Sequence, residues 1–234
     1  MRKLGVVAVL AILAAGGAAA AIADSATAPK VTVKASISPN RTGTPSHPQG
    51  VTLKTQISWQ SLGSANQPIV QTFDILFPKG ALYNGSKYPS CSYNKLNAVG
   101  PAGCPKASIM GTGTGNAYAD TTVTHPKITV VNGGATRVYF YTVLNNPARV
   151  QSPVIGKISR MGGKFAYKLH VTVPQVLQVV AGVPIELTFL NVTVGKSSYL
   201  ATTGCGSGHW PFSVKTGYNT GGSSTFTDSI PCHK

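Results

Sequence analysis

Carboxylate side chains are scarce in this sequence, which limits the catalytic chemistry it could perform. Its five acids are Asp24, Asp74, Asp120, Glu186 and Asp228. Glycosidic bonds are hydrolysed by a pair of carboxylates. Such a pair would come from Asp74, Asp120 and Glu186, because Asp24 would sit at the terminus of a processed chain and Asp228 lies in an edge-like strand. Asp74 could be buried with a raised pKa, although a lysine partner across a sheet is the commoner arrangement.

Serine and histidine provide no complete catalytic or metal site. A Ser-His-Asp hydrolase needs its serine in a strained turn beside a histidine, and the nearest stretch, Gly206-Ser207-Gly208-His209, is better explained as a tight turn next to a cysteine. No two histidines lie at zinc-ligand spacing, and no cluster of Asp or Asn oxygens indicates calcium. We therefore predict no catalytic residue, no cofactor and no metal.

The glycine-rich run Gly111-Thr112-Gly113-Thr114-Gly115 does not match a phosphate-binding loop. A nucleotide loop of that kind requires a lysine and a strand–turn–helix context, and both are missing here. Alternating glycines in a strand are typical of a bulge or of backbone packed closely against a neighbour. We predict this second arrangement.

Four cysteines, Cys91, Cys104, Cys205 and Cys232, bracket two turn-rich segments. Four cysteines allow three pairings. We predict Cys91 with Cys104 and Cys205 with Cys232, because each of these pairs is bounded by turn-rich sequence. Each bridge would stabilise the fold by roughly 3 to 4 kcal/mol by restricting the unfolded chain, and a structural role is more common than redox chemistry in an exported chain.

The N-terminus predicts export. Met1-Arg2-Lys3 precedes an apolar run from Leu4 to Ala23, which ends in the small residues Ala21-Ile22-Ala23. This pattern is typical of a signal peptide, residues 1–23, cleaved before Asp24. An uncleaved membrane anchor is the alternative, because the run is nearly long enough to span a bilayer. After cleavage, residues 24–234 would form a single extracytoplasmic domain without integral membrane association.

A strong positive charge indicates anionic partners. The chain has 20 basic residues against 5 acids, and loss of Arg2 and Lys3 leaves 18. Such a field favours wall polymers, acidic polysaccharides or phospholipid head groups. Nucleic acid would respond to the same charge, but an exported protein rarely meets it, so we predict no nucleic-acid partner. The alternative is that the charge serves only solubility.

The rest of the chain predicts an all-β fold, an antiparallel β-sandwich of immunoglobulin-like or jelly-roll-like type. Roughly ten short strands alternate with turn signals; for example, 30–38 alternates apolar and polar residues with period two. The stretch 136–144 is apolar on both faces, which is typical of a central strand covered on each side. Only one helix is predicted, near 174–181, where Pro174 precedes and Gly182 follows an apolar segment.

The predicted function is non-catalytic binding, or a structural role, at the cell envelope. Aromatic and basic residues in the turn-rich segments would form one patch if the two cysteine brackets meet at one end of the sandwich. The residues of this predicted patch are Tyr88, Tyr93, Lys87, Lys95, Lys106, His209 and Trp210. Its ligand would be an anionic polymer or a carbohydrate. Alternatively, Trp210 and Phe212 only cover the second disulfide as a small core.

Two functions of other classes remain open. The first is a secreted hydrolase that uses a carboxylate pair drawn from Asp74, Asp120 and Glu186. The second is a purely structural envelope component that associates with itself. The oligomeric state does not follow from the sequence.

The cysteine-bracketed segments and the residues that follow them resemble those of a known group of proteins. The residues concerned are Cys91 with Gly103-Cys104-Pro105-Lys106-Ala107-Ser108 and Gly111-Thr112-Gly113, together with Thr203-Gly204-Cys205, His209-Trp210-Pro211-Phe212 and Pro231-Cys232. In these the chain resembles a group of exported, uncharacterised all-β proteins of actinobacteria. The resemblance implies an extracytoplasmic sandwich with two disulfides, and it implies no catalytic residue.

Overall fold

A computed structural model describes residues 28–64 and 66–233. Within these ranges the chain forms fifteen β-strands and two short α-helices, which confirms the all-β, antiparallel, sandwich-like fold. The strands are β1 (Val31–Ser38), β2 (Gln49–Trp59), β3 (Val70–Pro78), β4 (Ala81–Tyr83), β5 (Ile109–Ala119), β6 (Thr122–Thr124), β7 (Lys127–Asn132), β8 (Arg137–Leu144), β9 (Val150–Arg160), β10 (Phe165–Thr172), β11 (Val179–Val180), β12 (Val183–Val194), β13 (Leu200–Thr202), β14 (His209–Tyr218) and β15 (Ser223–Pro231). The helices are α1 (Tyr93–Val99) and α2 (Gln175–Gln178). The predicted signal peptide, residues 1–23, lies outside the described residues.

The sheet folds over so that β1 and β15, the first and last strands along the chain, come together. Its main path runs β15-β14-β3-β10-β9-β8-β7-β5-β12-β2-β13-β4, and β1 pairs with β2. At one end of β1, Ser224 Oγ donates a hydrogen bond of 2.5 Å to the carbonyl oxygen of Pro29. At the other end, Arg41 forms a parallel bridge with His233. The layers therefore enclose one apolar interior.

The alternation of side chains along each strand determines which residues face this interior. In β10, Leu169 and Val171 are buried in the main core, whereas Lys168 and His170 point outward and contact Asp74. Successive side chains of a strand point to opposite faces of its sheet, so one hydrophobic pattern determines both faces. Trp59 of β2 also belongs to the core, since it is 4% exposed.

Strand β8 is covered on both faces, as its sequence predicts. Val138 and Leu144 face the main core. Tyr139 and Tyr141 point to the other side, where they pack in a second hydrophobic cluster with Leu96 of α1 and with both cysteines of the first bracket. The segment between these cysteines therefore forms a cover on the outside of the sheet.

The helices differ from the sequence-based expectation of one helix near 174–181, because α1 is present in addition and α2 is shorter. Helix α1 spans seven residues because its ends are satisfied: Ser92 Oγ accepts a hydrogen bond from the Lys95 N–H, and the Gly100 N–H donates to the Leu96 carbonyl. The predicted helix over 174–181 is shorter, four residues long. It ends early because Val179–Val180 pairs with β12 as a strand, the structure that valine favours.

The glycine run lies in β5, directly against the backbone of β12. A Cβ atom at Gly113 would come within 2.7 Å of the Asn191 carbonyl oxygen, and one at Gly115 within 2.9 Å of the Phe189 carbonyl oxygen. Real Cβ atoms essentially never approach backbone so closely. The structure therefore confirms the prediction of close-packed backbone at this run.

Candidate ligand-binding site

Both predicted disulfides are present. Cys91 bonds to Cys104 with a Cα–Cα distance of 5.4 Å, and Cys205 bonds to Cys232 with a Cα–Cα distance of 6.1 Å. The two bridges belong to separate hydrophobic clusters, one on the outside of β7 and β8 and the other beside β14. The two disulfides therefore do not pack against each other.

The residues of the predicted patch divide into two groups. Lys87, Lys95 and Lys106 are exposed on the first cysteine-bracketed region. Tyr93 beside them is 36% exposed and packs edge-on against Tyr139.

The other members are less available or lie elsewhere. Tyr88 is half-buried against the ring of Tyr199, 5.8 Å between centroids. His209 is exposed, but Trp210 is 1% exposed and its Nε1 donates a hydrogen bond of 2.9 Å to the Gly204 carbonyl. The structure thus supports the alternative in which Trp210 covers the second disulfide.

The interior of the sandwich contains a chamber that sequence reasoning missed. Its volume is about 270 Å³, and side chains from both ends of the strand order line it. Ile75, Ile158, Leu190 and Val192 line the chamber and are only partly buried. None of the described residues that line it is charged. Protein interiors are normally close-packed with few voids larger than a water molecule, so this space is exceptional.

Strands β4 and β13, which pair with each other, line one end of the chamber. Leu82 and Tyr83 of β4, Leu200 of β13 and Tyr199 directly before β13 contribute to this lining. The two phenolic oxygens are 3.0 Å apart. Burial raises the pKa of Tyr83 to about 12 and the pKa of Tyr199 well above its usual range. Both phenols are therefore neutral at physiological pH.

Asn132 connects the segments around this end of the chamber. Its Nδ2 donates to the carbonyl oxygens of Gly85, Tyr88 and Pro89 at 2.9 to 3.1 Å. Its Oδ1 accepts from the Gly134 N–H at 3.0 Å and lies 3.3 Å from each of the two tyrosine hydroxyls. Asn132 is fully buried. The sequence shows it only as part of the Asn-Gly-Gly turn, so its role in linking three segments was not predictable.

The other end of the chamber is covered by α2. This helix follows the end of β10 at Thr172, which pairs with Thr72 near the start of β3, whereas β4 follows the opposite end of β3. Leu177 of α2 is buried and lines the chamber. Gln178 anchors the helix, since its Nε2 donates to the Val173 carbonyl at 2.7 Å.

Two of the three candidate carboxylates lie close together. Glu186 in β12 pairs with Tyr118 near the end of β5, and Asp120 follows that strand directly. Glu186 is 7% exposed, and its Oε2 has no hydrogen-bond partner among the described residues. Burial, helped by the charge of Asp120, raises the pKa of Glu186 from 4.5 to about 7. In the sheet order, four strands, β10, β9, β8 and β7, lie between β3, which carries Asp74, and β5.

Glu186 makes a testable contribution to stability. Because its pKa is higher in the folded than in the unfolded protein, the folded state binds more protons between pH 4.5 and 7. The unfolding free energy therefore falls as pH rises through this window, by about 2 to 3 kcal/mol if one side chain accounts for the change. Glu186→Gln is expected to remove this fall and to be more stable than the wild type above pH 7. Urea unfolding at a series of pH values measures it, and equal slopes for the two proteins would contradict the assignment.

Asp74 organises a network of polar residues on the outside of the sheet. Its Oδ1 lies 3.0 Å from Lys168 Nζ and 2.7 Å from His170 Nδ1. Partial burial raises the pKa of Asp74, but the hydrogen bonds from His170 and Lys168 outweigh it, so the pKa of Asp74 is lowered. The prediction that a lysine faces this acid across the sheet is confirmed.

The same network has the order of a hydrolase triad but lacks its other parts. His170 Nε2 lies 3.3 Å from Thr172 Oγ1, so a carboxylate, an imidazole and a hydroxyl follow one another. Acyl transfer also needs N–H groups that converge on the developing oxyanion. Thr172 is the last residue of β10 and still pairs with both β9 and β3, so backbone N–H groups there are directed at the neighbouring strands. We interpret the network as cross-strand ion pairing.

The described residues contain no group of three or more His, Cys, Asp or Glu side chains arranged to hold a metal ion. Across the same ranges, none of the helices is long and apolar enough to cross a membrane. Comparison with known proteins gives no match, since no protein family, no curated protein and no solved structure is significantly similar to this chain.

Proposed function

We propose that this protein is a non-catalytic, extracytoplasmic binding protein that holds an apolar ligand in its internal chamber. Two disulfides support the extracytoplasmic location, because such bridges persist in oxidising compartments. The chamber is the observation that supports the function. It has a volume of about 270 Å³ and a lining without charge.

The apolar lining of the chamber favours an apolar ligand. Close-packed protein interiors rarely leave such a space, and apolar cavities accept small apolar molecules. A hydrocarbon ligand would restore the missing dispersion contacts along the strands that line the chamber.

The lining also restricts the chemical class of the ligand. Burial of an ionised group without a partner is very costly, and the chamber offers no charged side chain to pair with one. Two of its few polar groups, the hydroxyls of Tyr83 and Tyr199, already contact each other and Asn132. The buried part of the ligand is therefore an alkyl, acyl or isoprenoid chain, and any charged head group stays outside the chamber.

An envelope location and an anionic polymer or carbohydrate ligand, which the sequence favours, remain predictions. The hydrolase alternative is favoured by one observation, the proximity of Asp120 to Glu186 with the pKa of about 7, a value suited to a general acid. Against it stands the burial of Glu186, which is only 7% exposed.

A neutral fluorescent probe tests the proposal. Titration of the purified protein with N-phenyl-1-naphthylamine is expected to give saturable binding of about one probe per chain, with displacement by long-chain fatty acids and alcohols. Because the chamber is uncharged, affinity should be the same at 50 mM and 500 mM salt. Absence of saturable binding, or binding that short-chain acids displace equally well, would refute it.

A further inference from the structure

The outer face of strands β8, β9, β10, β3 and β14 carries a row of ionisable residues, one from each strand. The row consists of Arg137, Lys157, His170, Asp74 and Lys215, and we call it the cationic row. We infer that the cationic row is a binding site for a linear polyanion, a polymer whose anionic groups repeat along one chain. This inference stands on different residues from the proposed function and does not depend on it.

The register of the sheet places these residues side by side. Arg137 pairs with Lys157 between β8 and β9, and Lys157 pairs with His170 between β9 and β10. His170 pairs with Asp74 between β10 and β3, and Asp74 pairs with Lys215 between β3 and β14. Neighbouring strands lie about 4.8 Å apart, so the row is roughly 19 Å long.

All five side chains belong to the outside of the sandwich. Their sequence neighbours Val138, Ile158, Leu169 and Val214 line the internal chamber, and adjacent residues of a strand point to opposite faces. Arg137, Lys157 and Lys215 are exposed to solvent. The cover formed by α1 packs on neighbouring Tyr139 and Ile155 and leaves these three cations exposed.

Most positive charges of the cationic row are not neutralised by an ion pair among the described residues. Its single acid, Asp74, is engaged by Lys168 and His170. Arg137, Lys157 and Lys215 form no ion pair within 4 Å among the described residues. Arg137 also lies directly opposite Lys157, and like charges in that position destabilise a sheet. A bound anion would remove this repulsion and gain charge-assisted hydrogen bonds.

A polar groove extends the row at the β14 end. It is lined by Asp74 and Lys215 of the row, by Gln71 and Thr72 of β3, and by Ser223 at the start of β15, with a volume of about 270 Å³. Amide, hydroxyl and ionic groups of this kind bind the hydroxyl groups of a polymer repeat. The row thus offers charges for the anionic groups and the groove offers hydrogen bonds for the part between them.

A polymer fits this face better than a membrane. Peripheral membrane proteins combine cations with exposed apolar side chains that enter the head-group layer. The large exposed hydrophobic residues of the described chain are Tyr93, Val99, Val123, Met161 and Val176. None of them belongs to the row. The row also differs from the lysines predicted from sequence, Lys87, Lys95 and Lys106, which lie in or beside the cysteine-bracketed cover.

Charge-neutralising variants test the inference with long-chain inorganic polyphosphate as the probe. The row variant carries Arg137→Gln, Lys157→Gln and Lys215→Gln. The control carries Lys30→Gln, Lys34→Gln and Lys54→Gln, which are exposed residues on or beside β1 and β2. Both lose three positive charges, so only the position differs.

Isothermal titration calorimetry at several salt concentrations gives the result. We expect the row variant to bind polyphosphate at least ten-fold more weakly than the wild type, with a salt dependence reduced by about two to three ion contacts. The control should change affinity less than three-fold. Equal losses in both variants would show an effect of net charge alone and would overturn the inference, as would unchanged binding in the row variant.

Two further readouts separate the possible explanations. Vesicles of phosphatidylglycerol that bind through the row, together with polyphosphate binding that does not need it, would contradict a polymer site in favour of a membrane site. Both variants should bind N-phenyl-1-naphthylamine like the wild type. Polyphosphate binding without probe binding would therefore refute the chamber while the cationic row stands.

Discussion

Replacement of Ile158 by tryptophan is expected to weaken binding of N-phenyl-1-naphthylamine at least ten-fold without unfolding the protein. Ile158 lines the chamber and is only partly buried, so a larger side chain extends into open space. Filling a void adds dispersion contacts, and the unfolding free energy should stay equal or rise. Val192→Trp, in another wall of the same chamber, should act in the same direction.

The matched control is Thr32→Trp on the exposed side of β1, which adds a tryptophan outside the chamber. It should leave probe affinity unchanged. Probe binding that survives Ile158→Trp combined with Val192→Trp would contradict the chamber as the site. A strong loss of stability in both single variants would show that the space is not available for a ligand.

The largest expected effect on stability is that of Asn132→Ala. The substitution removes a hydrogen-bond partner of three backbone carbonyls and of the buried Tyr199 hydroxyl, whereas the Tyr83 hydroxyl keeps its 2.7 Å hydrogen bonds to the carbonyls of Gly134 and Arg137. Each buried polar group left without a partner costs ~1–3 kcal/mol. Some of these groups retain other contacts, so we expect a total loss of about 4 kcal/mol.

Urea unfolding measures this loss, and hydrogen exchange locates it. Amide exchange should accelerate in the segment from Gly85 to Cys91, which Asn132 ties to the sheet. Asn94→Ala, at an exposed position in α1, is the control and should cost less than about 1 kcal/mol. A cost that small for Asn132→Ala would contradict its role in connecting the segments around this end of the chamber.

Local patterns in the sequence predicted most of the strands. Alternation in β1, β2 and β10 is a property of neighbouring residues, so it identifies the buried face of each strand without knowledge of its partners. The turn-rich surroundings of the cysteines likewise led to the correct disulfide pairing. Helix α1 was underestimated because its stability depends on the Ser92 cap and on Leu96, which packs against a strand distant in sequence.

The chamber and the cationic row could not be predicted without the order of the strands in the sheet. An inward-facing Leu190 looks the same in sequence whether it is packed tightly or lines a void, so the chamber left no local signal. The alternation in β10 places Lys168 and His170 on one face of the strand, but it does not show that β10 lies between β3 and β9. The alignment of Asp74, His170 and Lys157 in one row therefore depends on a pairing register that periodicity does not contain.

The most direct test of the account is a crystal structure of the protein with a brominated long-chain fatty acid. The apolar chamber predicts an anomalous bromine peak between the layers of the sandwich, close to Ile158, Leu190 and Val192, with the carboxylate outside the chamber. The same crystals of Ile158→Trp should lose this peak. Bromine found only on the outer surface, with the chamber empty, would contradict the proposal that this fold encloses an apolar ligand.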